Sequence, residues 1–257
     1  MDPLVGQFVV LFLIFIRIVA MLFTAPLFSS NSLPVFSRLI LSLAIAYIMF
    51  FTLPSQTIDY NAGLPFLAFM GFKEAITGMI MGFSLNFVFY GISFAAMQMG
   101  MDMGLNMAQV LDPSTEIENN VLGQLLNVSA VVIFLIINGH HYLIKGLAVS
   151  FRVIPLGHYT INESVYLLLL KGSAGVFIIA VKISAPVMVA FFLLHTAVGI
   201  IARIIPQMQV FFVIQPVQLM LGLALMASGI PLFLYIIRFL LEQTENNLYD
   251  LIRVMGY

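Results

Sequence analysis

The stretch Leu4-Val-Gly-Gln-Phe-Val-Val-Leu-Phe-Leu-Ile-Phe-Ile-Arg17-Ile-Val-Ala-Met-Leu-Phe-Thr-Ala-Pro26-Leu-Phe28 carries one ionisable side chain, Arg17, near its middle. A helix crossing a hydrocarbon core about 30 Å thick needs about 20 predominantly apolar residues, and this stretch is long enough. Asp2 is the only charge before Arg17, and no small-residue cleavage site follows, so the segment is expected to stay in the chain rather than act as a removable signal peptide. An ionised side chain facing lipid at that depth costs at least about 2.5 to 3.5 kcal/mol. Arg17 must be covered, and two readings stand: a partner within the same chain, or another subunit packed against the helix.

Working outward, the intervals between consecutive charges repeat the pattern. Arg17 to Arg38 encloses 20 uncharged residues, Arg38 to Asp59 20, Glu74 to Asp102 27, Glu118 to Lys145 26, Lys182 to Arg203 20 and Arg203 to Arg238 34. These predict about six apolar helical segments. Pro26 and Pro34 trim the first, Pro54-Ser55 the second, and Gly63-Leu64-Pro65 opens the third. The 34-residue interval would reach about 51 Å as one helix, and it contains Pro206, Pro216, Gly229 and Pro231, so it is expected to be broken, tilted or partly outside the bilayer.

Composition agrees. Of 257 residues, 62% are hydrophobic and 8% charged, with a mean hydropathy of +1.10, which excludes a water-soluble globule. Ten basic against eleven acidic side chains leave no footprint for nucleic acid. The absence of cysteine excludes disulfides, thiolate metal sites and Cys nucleophiles. The basic residues are spread along the chain and assign no orientation.

Seven of the sixteen methionines lie between Met79 and Met107, so adaptable thioethers are concentrated there. On a helix Met99, Met103 and Met107 form one i, i+4 row, and Met97 and Met101 form a second on a different face. The pairs Gly78/Gly82, Gly91/Ala95 and Gly100/Gly104 have the small-xxx-small spacing that lets helices approach closely. Asp102 to Asn120 follows, with four acids and no base, turning at Asp112-Pro113.

Intramembrane chemistry has candidates in Lys73-Glu74, Asp102, His140-His141, Lys182 and His195, but no hydrolase, zinc or phosphate-binding motif links them. Adjacent His140 and His141 point about 100° apart on a helix and do not readily share a metal. Lys73-Glu74 reads either as a coupling-ion site or as a helix entering the headgroup layer. No cofactor, metal or enzymatic activity is expected.

Four stretches resemble the FliR family of flagellar and type III secretion export-gate subunits. Arg17-Ile-Val-Ala-Met-Leu-Phe-Thr-Ala-Pro26-Leu-Phe-Ser29 with Leu33-Pro34 is similar to the family's first helix and its exit. Met101-Asp-Met-Gly-Leu-Asn-Met-Ala-Gln-Val-Leu-Asp112-Pro113 resembles its Met-Gly segment and Asp-Pro turn. Phe134-Leu-Ile-Ile-Asn138-Gly139-His140 resembles its Asn-Gly-His, and Arg203-Ile-Ile-Pro206-Gln207 with Phe211 and Pro216 its Arg-x-x-Pro-Gln stretch. Ile214-Gln215 stands where the family pattern has a glycine before Pro216, a departure that bears on a flexible hinge there.

The resemblance implies an all-α integral membrane protein of tilted helical hairpins, with a FliP-like part over 1–185 and a FliQ-like hairpin and tail over 186–257. It implies a non-enzymatic subunit of an export gate for unfolded flagellar proteins, in the bacterial inner membrane within the flagellar basal body. Its partners would be FliP, FliQ, FlhB and FlhA. Met99, Met101, Met103, Gly104, Asn106, Met107, Gln109, Asp112 and Pro113 would form the inward loop that plugs the pore. Arg17, Pro26, Asn138, Gly139, His140, Arg203, Pro206, Gln207 and Pro216 would serve structure and subunit contact, with Arg17, Lys182 and Arg203 satisfied by neighbouring subunits or water. The rival reading is an ion-coupled transporter with Lys73, Glu74 and Asp102 on its path; a third is an intramembrane enzyme using His140 or His141.

Overall fold

The computed structural model describes residues 3–26, 28, 34–53, 63–105, 121–160, 162–205 and 210–256. Among these there is no strand. Seven helices follow in order: α1 Pro3–Thr24, α2 Val35–Thr52, α3 Leu64–Asp102, α4 Val121–Ile136, α5 Gly139–Val153, α6 Glu163–Ile204 and α7 Val210–Met255. Helix is the expected outcome, because in lipid a helix satisfies its own backbone polar groups.

Five helices are long and apolar enough to cross a membrane, and α4 with α5 makes a sixth if that bent pair counts as one span. The expected six segments are therefore present, with one of them broken. The break is chemical. Asn138 sits between α4 and α5 in the left-handed conformation, φ 60° and ψ 31°, which Asn adopts more readily than most residues, and the two helices meet at 67°.

Several boundaries fall where the breakers placed them. α1 ends at Thr24 before Pro26, α2 begins directly after Pro34, and α3 begins after Gly63. Lys73-Glu74 lies inside α3, which starts at Leu64. The interval from Arg203 to Arg238 is broken, as expected: α6 ends at Ile204 and α7 begins at Val210, then runs through Pro216, Gly229 and Pro231. Helices in lipid tolerate proline where neighbouring side chains and local adjustments re-satisfy the freed carbonyls. Pro186 is likewise inside α6.

Helices α3, α6 and α7 have 39, 42 and 46 residues. At 1.5 Å per residue they reach about 58, 63 and 69 Å, roughly twice the hydrocarbon thickness.

The chain divides into two compact units, each built from separated stretches. The first comprises Met1–Phe87, Asn138–Ser173 and Leu241–Tyr257. Within it α1 buries Leu13, Ile14, Arg17, Ile18, Met21 and Leu22 while Leu4, Phe8 and Phe12 are exposed. Gly78 and Gly82 of α3 meet this buried face. A methyl group at Gly78 would collide with the Arg17 carbonyl oxygen, and one at Gly82 with Thr24 Oγ1. For this glycine pair the partner helix is in the same chain. Asn86 adds a hydrogen bond from its side-chain amide to the Thr24 carbonyl.

Asn162 closes the start of α6: its Oδ1 accepts from Val165 N at 2.8 Å, a capping bond. Its Nδ2 donates to Val254 O at 2.9 Å, tying that start to the end of α7.

The second unit comprises Val88–Ile137 and Ala174–Leu240. Here Asn127 Nδ2 of α4 donates to Ser93 Oγ of α3 at 2.8 Å, and Phe94 of α3 meets Phe177 of α6 edge-on at 5.5 Å between centroids. A methyl at Gly91 would press on Ile179 Cγ2 at 2.5 Å, so the second small-residue pair also serves contact within the chain.

Candidate functional site: a buried ion pair and a methionine-rich helix end

In the first unit Arg17 and Glu74 have no solvent exposure and form an ion pair, Arg17 Nε to Glu74 Oε2 at 2.5 Å. Both terminal nitrogens are bonded as well. Arg17 Nη1 donates to Ser150 Oγ at 3.3 Å and Nη2 to Ile154 O at 3.1 Å. The guanidinium lies over the Phe151 ring, 4.3 Å from its centroid, a stacking that favours arginine. Glu74 Oε1 accepts from Gly157 N at 2.7 Å.

Lys73 joins from the neighbouring position, donating from Nζ to Gly157 O at 3.2 Å. The consecutive charges therefore hold both ends of one residue. Gly157 must be glycine: φ is +74°, and a Cβ there would run into the Met70 side chain. The cluster thus joins α1, α3, α5 and the turn after α5.

A buried pair depends on partners for its remaining lone pairs and protons, and each Glu74 oxygen has a donor. The geometry shows Glu74 committed to structure within the chain, which weakens its reading as a coupling-ion site. The expectation that Arg17 is satisfied by neighbouring subunits or water is corrected: the covering group is Glu74 of the same chain, 57 residues away.

Tyr159 lies beyond this turn, 2% exposed, and its hydroxyl has no hydrogen-bond partner. Burial raises its pKa above the usual tyrosine value. His140 and His141 stack at 4.2 Å between ring centroids with a 38° tilt, closer than their helical positions suggest. Among the described residues no group of three or more His, Cys, Asp or Glu is placed to hold a metal. Gly139 is buried beside the Asn138 bend.

In the second unit the end of α3 separates the two methionine rows. Met99 is 0% and Met103 1% exposed, whereas Met97 is 45% and Met101 44% exposed. A methyl at Gly222 of α7 would clash with Met103 Cγ, so Met103 fills a gap between helices. The two rows therefore lie on different faces, as their spacing predicts: Met99 and Met103 pack inward, and Met97 and Met101 face outward.

Met103 to Leu105 form a turn with Gly104 at φ +74°. Gln215 Nε2 donates to Gly104 O at 3.4 Å, and Gln218 Nε2 lies 2.7 Å from His195 Nε2. Asp102 accepts from Gln98 Nε2 at 3.5 Å. Gln215, directly before Pro216, thus contacts the turn.

Asn106, Met107, Gln109, Asp112 and Pro113 lie outside the described residues, as do Pro206 and Gln207. Pro26 lies in the turn that follows α1, Pro216 is exposed on α7, and Arg203 is exposed at the end of α6. Sequence reasoning missed Ser150, Gly157 and Asn162. Asn162 before Glu163 is a recognisable cap signal; the roles of Ser150 and Gly157 depend on contacts far along the chain and carry no local signature.

The family described as Bacterial export proteins, family 1, matches residues 8–244. Similar proteins are each named Flagellar biosynthetic protein FliR. The one from Bacillus subtilis (strain 168) is 29% identical over 262 residues, covering 100% of this chain and 99% of its own length. The one from Escherichia coli (strain K12) is 28% identical, covering 92% and 90%. That of Aquifex aeolicus (strain VF5) is 27% identical, covering 97% and 93%.

Proposed function

The chain belongs to the bacterial export proteins, family 1, and on that premise we propose that it forms part of the inner-membrane channel through which unfolded flagellar proteins leave the cell. It is a membrane component of the flagellar export apparatus, a transport subunit rather than a catalyst. The finer reading is that the end of α3 and the segment 106–120 constrict the passage, with FliP, FliQ, FlhB and FlhA as neighbours. The FliP-like part runs over 1–185 and the FliQ-like hairpin over 186–257.

The observation that carries this reading is the outward Met97/Met101 row at the end of α3, directly before the acidic, Asp-Pro-containing segment. Unbranched thioethers adapt to neighbours of changing shape, which suits a seal around a passing chain. Helix length supports the partners. α6 and α7 are about twice the hydrocarbon thickness, yet they expose large apolar side chains from Tyr166 to Phe239, so part of that surface needs protein cover.

The test is ion conductance of the assembled complex in a planar bilayer. Deleting Gln109 to Glu116, or replacing Met97 and Met101 by Gly, is expected to raise the leak in the resting complex. Unchanged conductance in both variants refutes the constriction.

A further inference from the structure

Three positions on one face of α7 meet the turn that ends α3. Gln215, Gln218 and Gly222 follow at steps of three and four residues. Gln215 Nε2 donates to Gly104 O at 3.4 Å. A Cβ placed at Gly104 would come within 2.9 Å of Gln215 Nε2 and 3.5 Å of Gln218 Oε1, and Gly222 takes the Met103 side chain. Both amides therefore face Gly104. Between Ile214 and Leu234 the polar side chains of α7 are Gln215, Gln218 and Ser228. Ser228 Oγ is bonded to carbonyls of its own helix, so the two that reach beyond α7 both go to this turn.

The Gln218 amide has a second partner, His195 of α6, with Nε2 to Nε2 at 2.7 Å. An amide nitrogen only donates, so His195 Nε2 is the acceptor and the imidazole is neutral, with its proton on Nδ1. In that orientation Gln218 keeps Oε1 toward Gly104. A protonated imidazole donates from both nitrogens, which sets donor against donor. Gln218 can then turn its amide, withdrawing Oε1 from Gly104 and bringing its nitrogen to where Gln215 Nε2 already stands, or it can lose His195.

Electrostatics favour the loss. Asp102, at the end of α3, is the one acid among the described residues of the second unit, and it interacts with His195 through charge. Its hydrogen bond from Gln98 is long, 3.5 Å. The cations of the unit are Lys182, Arg203 and Arg238. At 1.5 Å per residue the first two lie about 20 and 12 Å from His195 along α6, and Arg238 about 30 Å from Gln218 along α7. The tyrosines, Tyr90 and Tyr235, lie about 18 Å from Asp102 along α3 and about 26 Å from Gln218 along α7. Residues 121–137 of α4 carry no ionisable side chain. A protonated His195 thus has one carboxylate to turn to and no cation close by to oppose it.

We propose that Gln215 and Gln218 are positioning residues that hold the Gly104 turn against α7, and that His195 makes the hold proton-sensitive: firm with a neutral imidazole, loosened when the imidazole is protonated and drawn to Asp102. Histidine is the side chain that ordinarily changes charge between pH 5 and 8. Leu105, the last described residue of the turn, directly precedes the segment 106–120, so the catch acts where that segment begins. Its bearing on the passage rests on the reading of that segment as a constriction.

The chain has no cysteine, so Leu105→Cys can carry a single nitroxide in the assembled complex reconstituted in lipid, with the complex of the unsubstituted chain as the labelling background. Electron paramagnetic resonance reads the ratio of mobile to immobile label. A hydrogen bond of ordinary net strength sets a factor of about 2 to 10 in such an equilibrium, and the ratio should rise by that factor from about pH 8 to about pH 5.5. His195→Gln, which can still accept from Gln218 and does not titrate, should keep the label immobile at both pH values. His195→Lys, which only donates, should free it at both. Gln215→Glu, of the same length without the amide donor, should free it at the higher pH while the melting temperature in detergent stays unchanged.

A spectrum of the Leu105→Cys chain indifferent to pH, a pH response that survives in His195→Gln, or a label held fast in both His195→Lys and Gln215→Glu would each overturn the inference. The label reads the turn without reference to conductance. A deletion of Gln109 to Glu116 that causes no leak would therefore remove the constriction reading, while the mobility results judge the catch.

Discussion

Removing either charge of the Arg17–Glu74 pair should be far more damaging than removing both. Arg17→Met leaves the Glu74 carboxylate buried with only the Gly157 amide, and Glu74→Leu leaves the guanidinium buried with Ser150 Oγ and Ile154 O. Breaking a buried pair by removing one partner costs about 3 to 5 kcal/mol, whereas replacing both by packed apolar groups is often near neutral. For a chain of this size 1 kcal/mol shifts the melting temperature by about 2 to 4 °C, so each single substitution should lower it by about 6 to 20 °C. The double variant Arg17→Met/Glu74→Leu should recover most of that loss. The assay is thermal unfolding in detergent, followed by the monodisperse fraction surviving heating, for the parent, both singles and the double. Two independent losses that simply add in the double variant, with no coupling between the sites, would refute the pairing argument.

Other predictions follow the same contacts. Gly82→Leu drives a side chain into Thr24 and the Met21 carbonyl and should cut the amount of folded chain in membranes, read by quantitative blotting; normal levels would mean that α1 does not lie there. Met103→Ala should cost about 2 to 5 kcal/mol while Met101→Ala, which faces outward, leaves the melting temperature unchanged; equal losses would contradict the division of the rows. Tyr159→Phe removes a buried hydroxyl without a partner and should raise stability by about 1 kcal/mol. The raised pKa of Tyr159 means the unfolded chain ionises first, so its contribution is whole below pH 10 or so and is lost as pH rises through the folded value. The phenylalanine variant should flatten that alkaline decline, and an unaltered limb would count against the buried hydroxyl.

Much of the fold was legible because charge is so scarce. Intervals of 20 or more uncharged residues mark spans almost regardless of which apolar residues fill them, and Pro34 and Gly63 mark ends through backbone chemistry alone. The break in the interval from Arg203 to Arg238 was legible, but its place was not, because proline's penalty is set by the solvent and neighbours around the helix, which the local sequence does not state. The partners of Lys73-Glu74 were not legible either, since Arg17 and Gly157 return to the pair from distant segments. The methionine rows were legible as rows, but which of them packs inward depends on Gly222, more than a hundred residues away. Asn138 was visible as part of a motif, and its left-handed backbone supplies the physical reason for an Asn-Gly pair at a sharp bend.

The bond from Asn162 to Val254 has a bearing on biosynthesis. The unit that contains α1 also contains Leu241–Tyr257, in which Leu248, Leu251 and Ile252 are almost wholly enclosed. Residues of α1 are therefore made well before Leu241–Tyr257 complete the unit around them, and a stop codon placed before Leu248 would remove enclosed side chains from the unit that holds α1.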